Sequence, residues 1–185
     1  MVTQNKYSLL GQTIFFLILM FASICCHNMW KDDKLSILRR EFAGKQLRID
    51  GYFFQQKDGN YFTMYSFYRN GVVLYLGGGY NQNQITDLES RMQNGIFYSD
   101  ANKFKNYWGV LNIEGKTIAF ERWYPSDPPL KAYVREGEIL NDTTFIITKS
   151  YRMQGGKKTE LKSQNEVYHF KHFSPKPDST NSFVQ

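Results

Sequence analysis

Four turn dipeptides divide the central part of this chain into runs whose side-chain character alternates with a period of two. Asp58-Gly59, Asn70-Gly71, Glu114-Gly115 and Gly155-Gly156 each tolerate the positive φ of a tight hairpin. Around them Leu47, Ile49 and Phe53 alternate as far as Gln55, followed by runs over 61–69, 72–76, 107–113 and 117–124. Pro125, Pro128 and Pro129 break the pattern, and it resumes over 131–140, 143–153 and 159–173. Strands joined by short turns are antiparallel neighbours. A meander of about eight strands loses its exposed edges by closing. The expected fold is therefore all-β, an eight-stranded antiparallel up-and-down barrel, with a half-open sandwich as the alternative. Such a barrel has room inside for side chains or one small ligand. The 15 Phe and 13 Tyr agree, since aromatic side chains favour pleated, half-buried surfaces.

Two segments break the period of two. Leu35, Leu38 and Phe42 recur at spacings of three and four, which predicts a short N-terminal helix from Asp32 to Ala43, capped by Asp32 or Asp33 and ended by Gly44. Ile85, Leu88 and Met92 predict a second helix over 84–94, inserted between the third and fourth strands and closed by Gly95. Gly77-Gly78-Gly79 ends a strand and has neither the Lys nor the helix start of a phosphate-cradling loop.

Residues 1–26 form a leader. Lys6 is its only charge, and an uncharged apolar run follows from Thr13 to Cys26. The strongest part is shorter than the roughly 20 residues that span a bilayer. Both cysteines, Cys25 and Cys26, sit at its end, adjacent and badly placed to bridge each other. Ser23-Ile24-Cys25-Cys26 resembles the lipobox of bacterial lipoproteins, which implies that Cys26 carries the lipid anchor. An uncleaved apolar anchor and plain secretion are the alternatives. Lys31-Asp32-Asp33 resembles the export tag of some surface-exposed lipoproteins.

Parity across the Glu114-Gly115 turn puts Leu111 and Ile113 on one face with Ile118 and Phe120. That face is the more apolar and should look inward, carrying Arg122 and Tyr124 with it. Ser66, Tyr68 and Tyr75 are candidates for the same interior, with hydroxyls as polar handles. A buried guanidinium needs a partner, so Arg122, Phe120, Tyr124, Tyr68 and Tyr75 form the candidate ligand site. Trp108 and Trp123 fall on the outer face of that hairpin, as candidates for an interaction surface.

No arrangement of catalytic or metal-ligating residues emerges. His169 and His172 are three apart, so on a strand they face opposite ways. The serines lack a nucleophile elbow. Asp50, Glu121 and Glu138 are dispersed in the sequence. Neither an enzyme nor a metal or other cofactor is expected. The net charge of +6 is spread out, its longest runs being the pairs Arg39-Arg40 and Lys157-Lys158, which argues against a nucleic-acid partner.

The layout is a leader with Cys (1–26), a linker and short helix (27–44), an eight-strand meander (45–174) with Tyr107-Trp108-Gly109-Val110 near its middle, and an extended tail (175–185) whose Phe183 and Val184 can clip onto the barrel. It resembles the lipocalin-like (calycin-type) barrels, and among them the lipocalin-like lipoproteins of Gram-negative bacteria. The resemblance implies an exported protein of the cell envelope, anchored at a membrane on the outer-membrane or periplasmic side. It further implies a binding module for a small apolar or acidic ligand. An envelope protein that binds a protein partner through its outer aromatic surface is the alternative.

Overall fold

Eight antiparallel strands hydrogen-bond in sequence order, and the last returns to the first, in a computed structural model that describes residues 31–184 apart from 58, 60, 126 and 127. The strands are β1 (Gly51–Lys57), β2 (Tyr61–Phe67), β3 (Val72–Tyr80), β4 (Trp108–Glu114), β5 (Thr117–Tyr124), β6 (Lys131–Asn141), β7 (Thr144–Gln154) and β8 (Lys157–His172). Gly51 pairs with His172 and Phe54 with His169, so the barrel is closed and has no free edge. The leader, with Cys25 and Cys26, lies outside the described residues, as does Asp58 of the first predicted turn.

The walls are apolar on both faces because there are two cores. Inside the barrel, Phe53, Tyr65, Phe67, Phe120, Phe145 and Tyr168 pack ring against ring at centroid separations such as 4.8 and 4.9 Å. Outside, a second core forms on β1–β6, partly beneath the inserted helices α1 (Gln82–Gln93) and α2 (Ile96–Ala101). Asn81 and Gln84 make a reciprocal capping box at the start of α1, which buries the expected Ile85, Leu88 and Met92.

This outer core covers both tryptophans and corrects their assignment as an exposed contact surface. They do point outward, but Trp108 is 0% and Trp123 4% exposed. The Trp108 indole donates to the Ala101 carbonyl, and that of Trp123 to the Asp33 carbonyl. Burial of each stabilises the protein by about 1.5–3 kcal/mol.

The predicted N-terminal helix is absent: residues 31–50 carry no regular secondary structure. They form an extended strap down the outer wall. Asp33 donates its amide to the Leu130 carbonyl at one end of the barrel, and Phe42 donates to Arg69 at the other. Nine residue steps reach about 30 Å when extended but only about 14 Å as a helix, too short for that traverse. The acids expected to cap a helix are engaged elsewhere, Asp32 with the Leu130 amide and Lys105, Asp33 with Arg152 and the Ala132 amide. Glu121 on β5 accepts from the Ser36 and Ile37 amides at 2.5 and 2.8 Å, contacts that a helix at those residues would lack. Leu38, one of the three residues whose spacing suggested the helix, is 73% exposed. Phe42 and Leu47 then enter the inner core and stop the lower end of the barrel.

The Asn70-Gly71 turn sets which side chains of β2 face inward. A two-residue loop would put Ser66 opposite Tyr75. The loop instead has three residues, with the Tyr68 amide donating to Val72 and the Gly71 amide to Tyr68, so that Tyr65 pairs with Tyr75 and Phe67 with Val73. One residue of difference exchanges the faces. Gly71 makes the loop possible at φ +75°, and a Cβ there would lie 2.2 Å from the Arg40 carbonyl of the strap. Gly71→Ala is expected to cost on the order of 1–3 kcal/mol, read as a lowered urea midpoint. An unchanged midpoint would show that the loop and the strap yield easily.

Candidate functional site

In a meander, alternate connections lie at opposite ends. The β1–β2, β3–β4, β5–β6 and β7–β8 connections gather at the upper end, away from the Phe42 and Leu47 stopper. There the interior changes from aromatic to polar. A cavity of about 190 Å³ is lined by Tyr124, Tyr133, Arg135, Ser150, Lys162 and Gln164. Pairing explains the convergence: Tyr133 stands opposite Arg122, Arg135 opposite both Phe120 and Ser150, and Ser150 opposite Lys162. All of these strands therefore present the same parity inward.

Arg122 lies beneath this cavity, 3% exposed. Its guanidinium sits between the rings of Tyr75 and Tyr124, each 3.8 Å away, and donates to the Asn106 and Trp123 carbonyls at 3.0 and 2.9 Å. Among the described residues it has no carboxylate partner. A desolvated cation–π contact contributes about 2 kcal/mol, which helps this charge persist in the interior. Arg135 pairs with Glu166, which also accepts from the Tyr168 hydroxyl, and donates to the Tyr124 hydroxyl. The interior thus holds two guanidiniums and one carboxylate, which pairs with Arg135 and not with Arg122. The buried Arg122 Nε, Arg135 Nε and Gln55 Oε1 have no hydrogen-bond partner among the described residues. Each such group ordinarily costs about 1–3 kcal/mol.

The phenols feel this excess charge. Burial pushes the Tyr124 hydroxyl up, but Arg122 and Arg135 outweigh it and hold Tyr124 below the ordinary phenol value. Burial wins at Tyr65, Tyr75 and Tyr168, all of which are raised. Of these four phenols only Tyr124 is held below its ordinary value, and its hydroxyl, at the cavity lining, accepts from Arg135.

The residues singled out from the sequence divide accordingly. Arg122, Tyr124 and Tyr75 come together; Phe120 lies in the inner core below them and does not line the cavity. Tyr68 does not belong to the site. The three-residue loop turns it outward, where its hydroxyl donates to the Pro177 carbonyl and its ring lies 4.1 Å from the Lys176 amine. Ser66 likewise faces outward and donates to Gly51. Sequence reasoning missed Arg135, Lys162, Gln164 and Glu166. The signal was the alternation of β6 and β8, whose register depends on the loop after Pro125 and on irregular pairing of β7 with β8.

Among the described residues no group of three or more His, Cys, Asp or Glu is arranged to hold a metal ion, and no helix is long and apolar enough to cross a membrane. The fold is compatible with a lipocalin-like barrel. No family model matches the chain, and no curated protein or solved structure is significantly similar to it.

Proposed function

We propose that this protein is a membrane-anchored, lipocalin-like binding module whose barrel mouth takes a small anionic ligand. The observation that carries this reading is the unbalanced interior: two guanidiniums face one carboxylate beneath a cavity that also receives Lys162. A carboxylate or phosphate entering there would restore the balance and meet donors left unpaired in its absence. The cavity is smaller than the roughly 300–1,000 Å³ of drug-sized sites, and the aromatic core below it is filled. The ligand is therefore an acidic group on a short body, held by positioned donors with no bond made or broken. The covered tryptophans remove the observation that favoured an aromatic interaction surface.

The test is calorimetric titration of the protein with benzoate and with inorganic phosphate, alongside native mass spectrometry of material purified from its own envelope. The double variant Arg135→Met/Glu166→Met removes both partners of the interior pair, a change that typically leaves stability equal or higher. It should cost about 2–5 kcal/mol of affinity while the barrel stays folded. Equal binding by the variant, or no anion bound by either protein, would end this reading.

The anchor is supported by the leader: an apolar run too short to span comfortably, ending in a cysteine with no disulfide role. Cys26→Ser should release the protein from membranes in fractionated cells. Retention of the variant with an intact leader would identify an uncleaved anchor instead.

A further inference from the structure

The strap begins at the upper end of the barrel. Asp32 accepts from the Leu130 amide at 2.8 Å and Asp33 donates to the Leu130 carbonyl at 2.9 Å, within the β5–β6 connection beside the cavity. On the anchor reading, Cys26 lies six residues before Asp32. Six steps of chain reach at most about 20 Å, so the barrel cannot hang far from the bilayer. Its upper end must be the near end.

That end carries matching charge. Of its described carboxylates, Asp32, Asp33 and Glu160 are held by Lys105 and Arg152, while Asp87 stands exposed near Tyr80. Lys34, Lys57, Lys157 and Lys162, by contrast, are exposed and in no ion pair with a described residue. The lower end mixes its signs: Arg40 pairs with Glu114 and Arg48 with Asp50, and the exposed Lys45 and Lys116 stand among the exposed acids Glu41, Glu138 and Asp142. Exposed Phe104 (55%) and Tyr61 (48%), next to upper connections, add rings of the kind that settle at a headgroup interface. We infer that the barrel docks mouth-down on an anionic bilayer surface, with the lysine rim against the headgroups and the cavity opening toward the membrane. This inference rests on the anchor reading and adds to it an orientation and a lipid charge.

The experiment uses the protein processed and lipid-modified at Cys26, which blocks that thiol, from a Cys25→Ser background, reconstituted into vesicles of phosphatidylcholine with or without phosphatidylglycerol. A fluorophore is placed at Gln154→Cys in the upper hairpin or at Thr117→Cys beside the lower turn, and quenching by a headgroup-borne quencher is read. In anionic vesicles the upper label should be quenched several-fold more than the lower one. That difference should shrink on Lys57→Glu/Lys157→Glu and in 1 M salt, where the screening length falls to about 3 Å. Equal quenching of the two labels, or stronger quenching of the lower one, overturns the orientation. A difference that persists in neutral vesicles and survives charge reversal overturns the role of charge. If the chain fails to co-sediment with any vesicle, the anchor reading falls and takes this inference with it, an outcome distinct from co-sedimentation without orientation.

Discussion

Glu166→Gln is expected to destabilise the barrel by about 3–5 kcal/mol, the range seen when one partner of a buried ion pair is removed. The Arg135 and Glu166 side chains are only 12% and 13% exposed, so solvent screens little of the loss. The variant leaves Arg135 and Arg122 in one interior with no carboxylate between them, both packed around Tyr124. Urea unfolding followed by tryptophan fluorescence gives the measurement. Added phosphate should return part of the loss if the mouth binds anions, because a ligand of the folded state raises its stability. A change below about 1 kcal/mol would mean that water already screens the pair and that the interior charge is not in excess.

The second large effect is at the strap. Asp33→Ala removes a bidentate pair to Arg152 at 2.6 and 2.7 Å, together with the acceptor for the Ala132 amide. Hydrogen bonds to charged groups contribute about 1.5–3 kcal/mol each, and a loss of about 2–3 kcal/mol is expected. The upper strap should then lift from Trp123, seen as a red-shifted emission and faster tryptic cleavage after Lys34 and Arg39. Normal emission and protease resistance in Asp33→Ala would show that Glu121, Asp32 and the strap's backbone bonds hold it without the Arg152 pair. The same pair predicts a response to acid. Burial pushes the Asp33 carboxyl up, but Arg152, the Ala132 amide and Lys131 outweigh it and hold it below its ordinary value of 3.8. A carboxyl lowered in the folded state contributes stability that is fully present above its unfolded value and lost as pH falls through the folded one. The Trp123 signal should therefore hold down to about pH 4 and change below it, and Asp33→Ala should flatten that change.

The hairpins were legible because turn chemistry and alternation are local. The Glu114-Gly115 turn placed Arg122 correctly inside, since Leu111 pairs with Phe120 and Gly109 with Arg122. At Asn70-Gly71 the same logic failed by one residue, because the dipeptide is compatible with loops of two or three residues and the close approach of Arg40 belongs to a distant segment. The strap was misread for a related reason. Spacings of three and four between Leu35, Leu38 and Phe42 imitate a helix, while what holds the segment extended, Glu121 and Arg152, lies far along the sequence. The exposure of Trp108 and Trp123 was likewise undecidable from alternation, which gives the face of a strand and not what lies over it.

Closure of β1 on β8 has a consequence for the order in which the molecule assembles. The ring cannot shut until residues near His172 exist, and the outer wall is not fully dressed until the tail arrives, with Thr180 accepting from Tyr98 and Val184 from Arg39. Contacts between such distant residues form slowly, on a scale of about milliseconds to seconds. During that interval β1 and β8 are open edges and the apolar face around Val110 is bare to neighbouring chains. A chain ending before residue 175 would lack Phe183 and Val184 over that face and is expected to aggregate more readily while it folds.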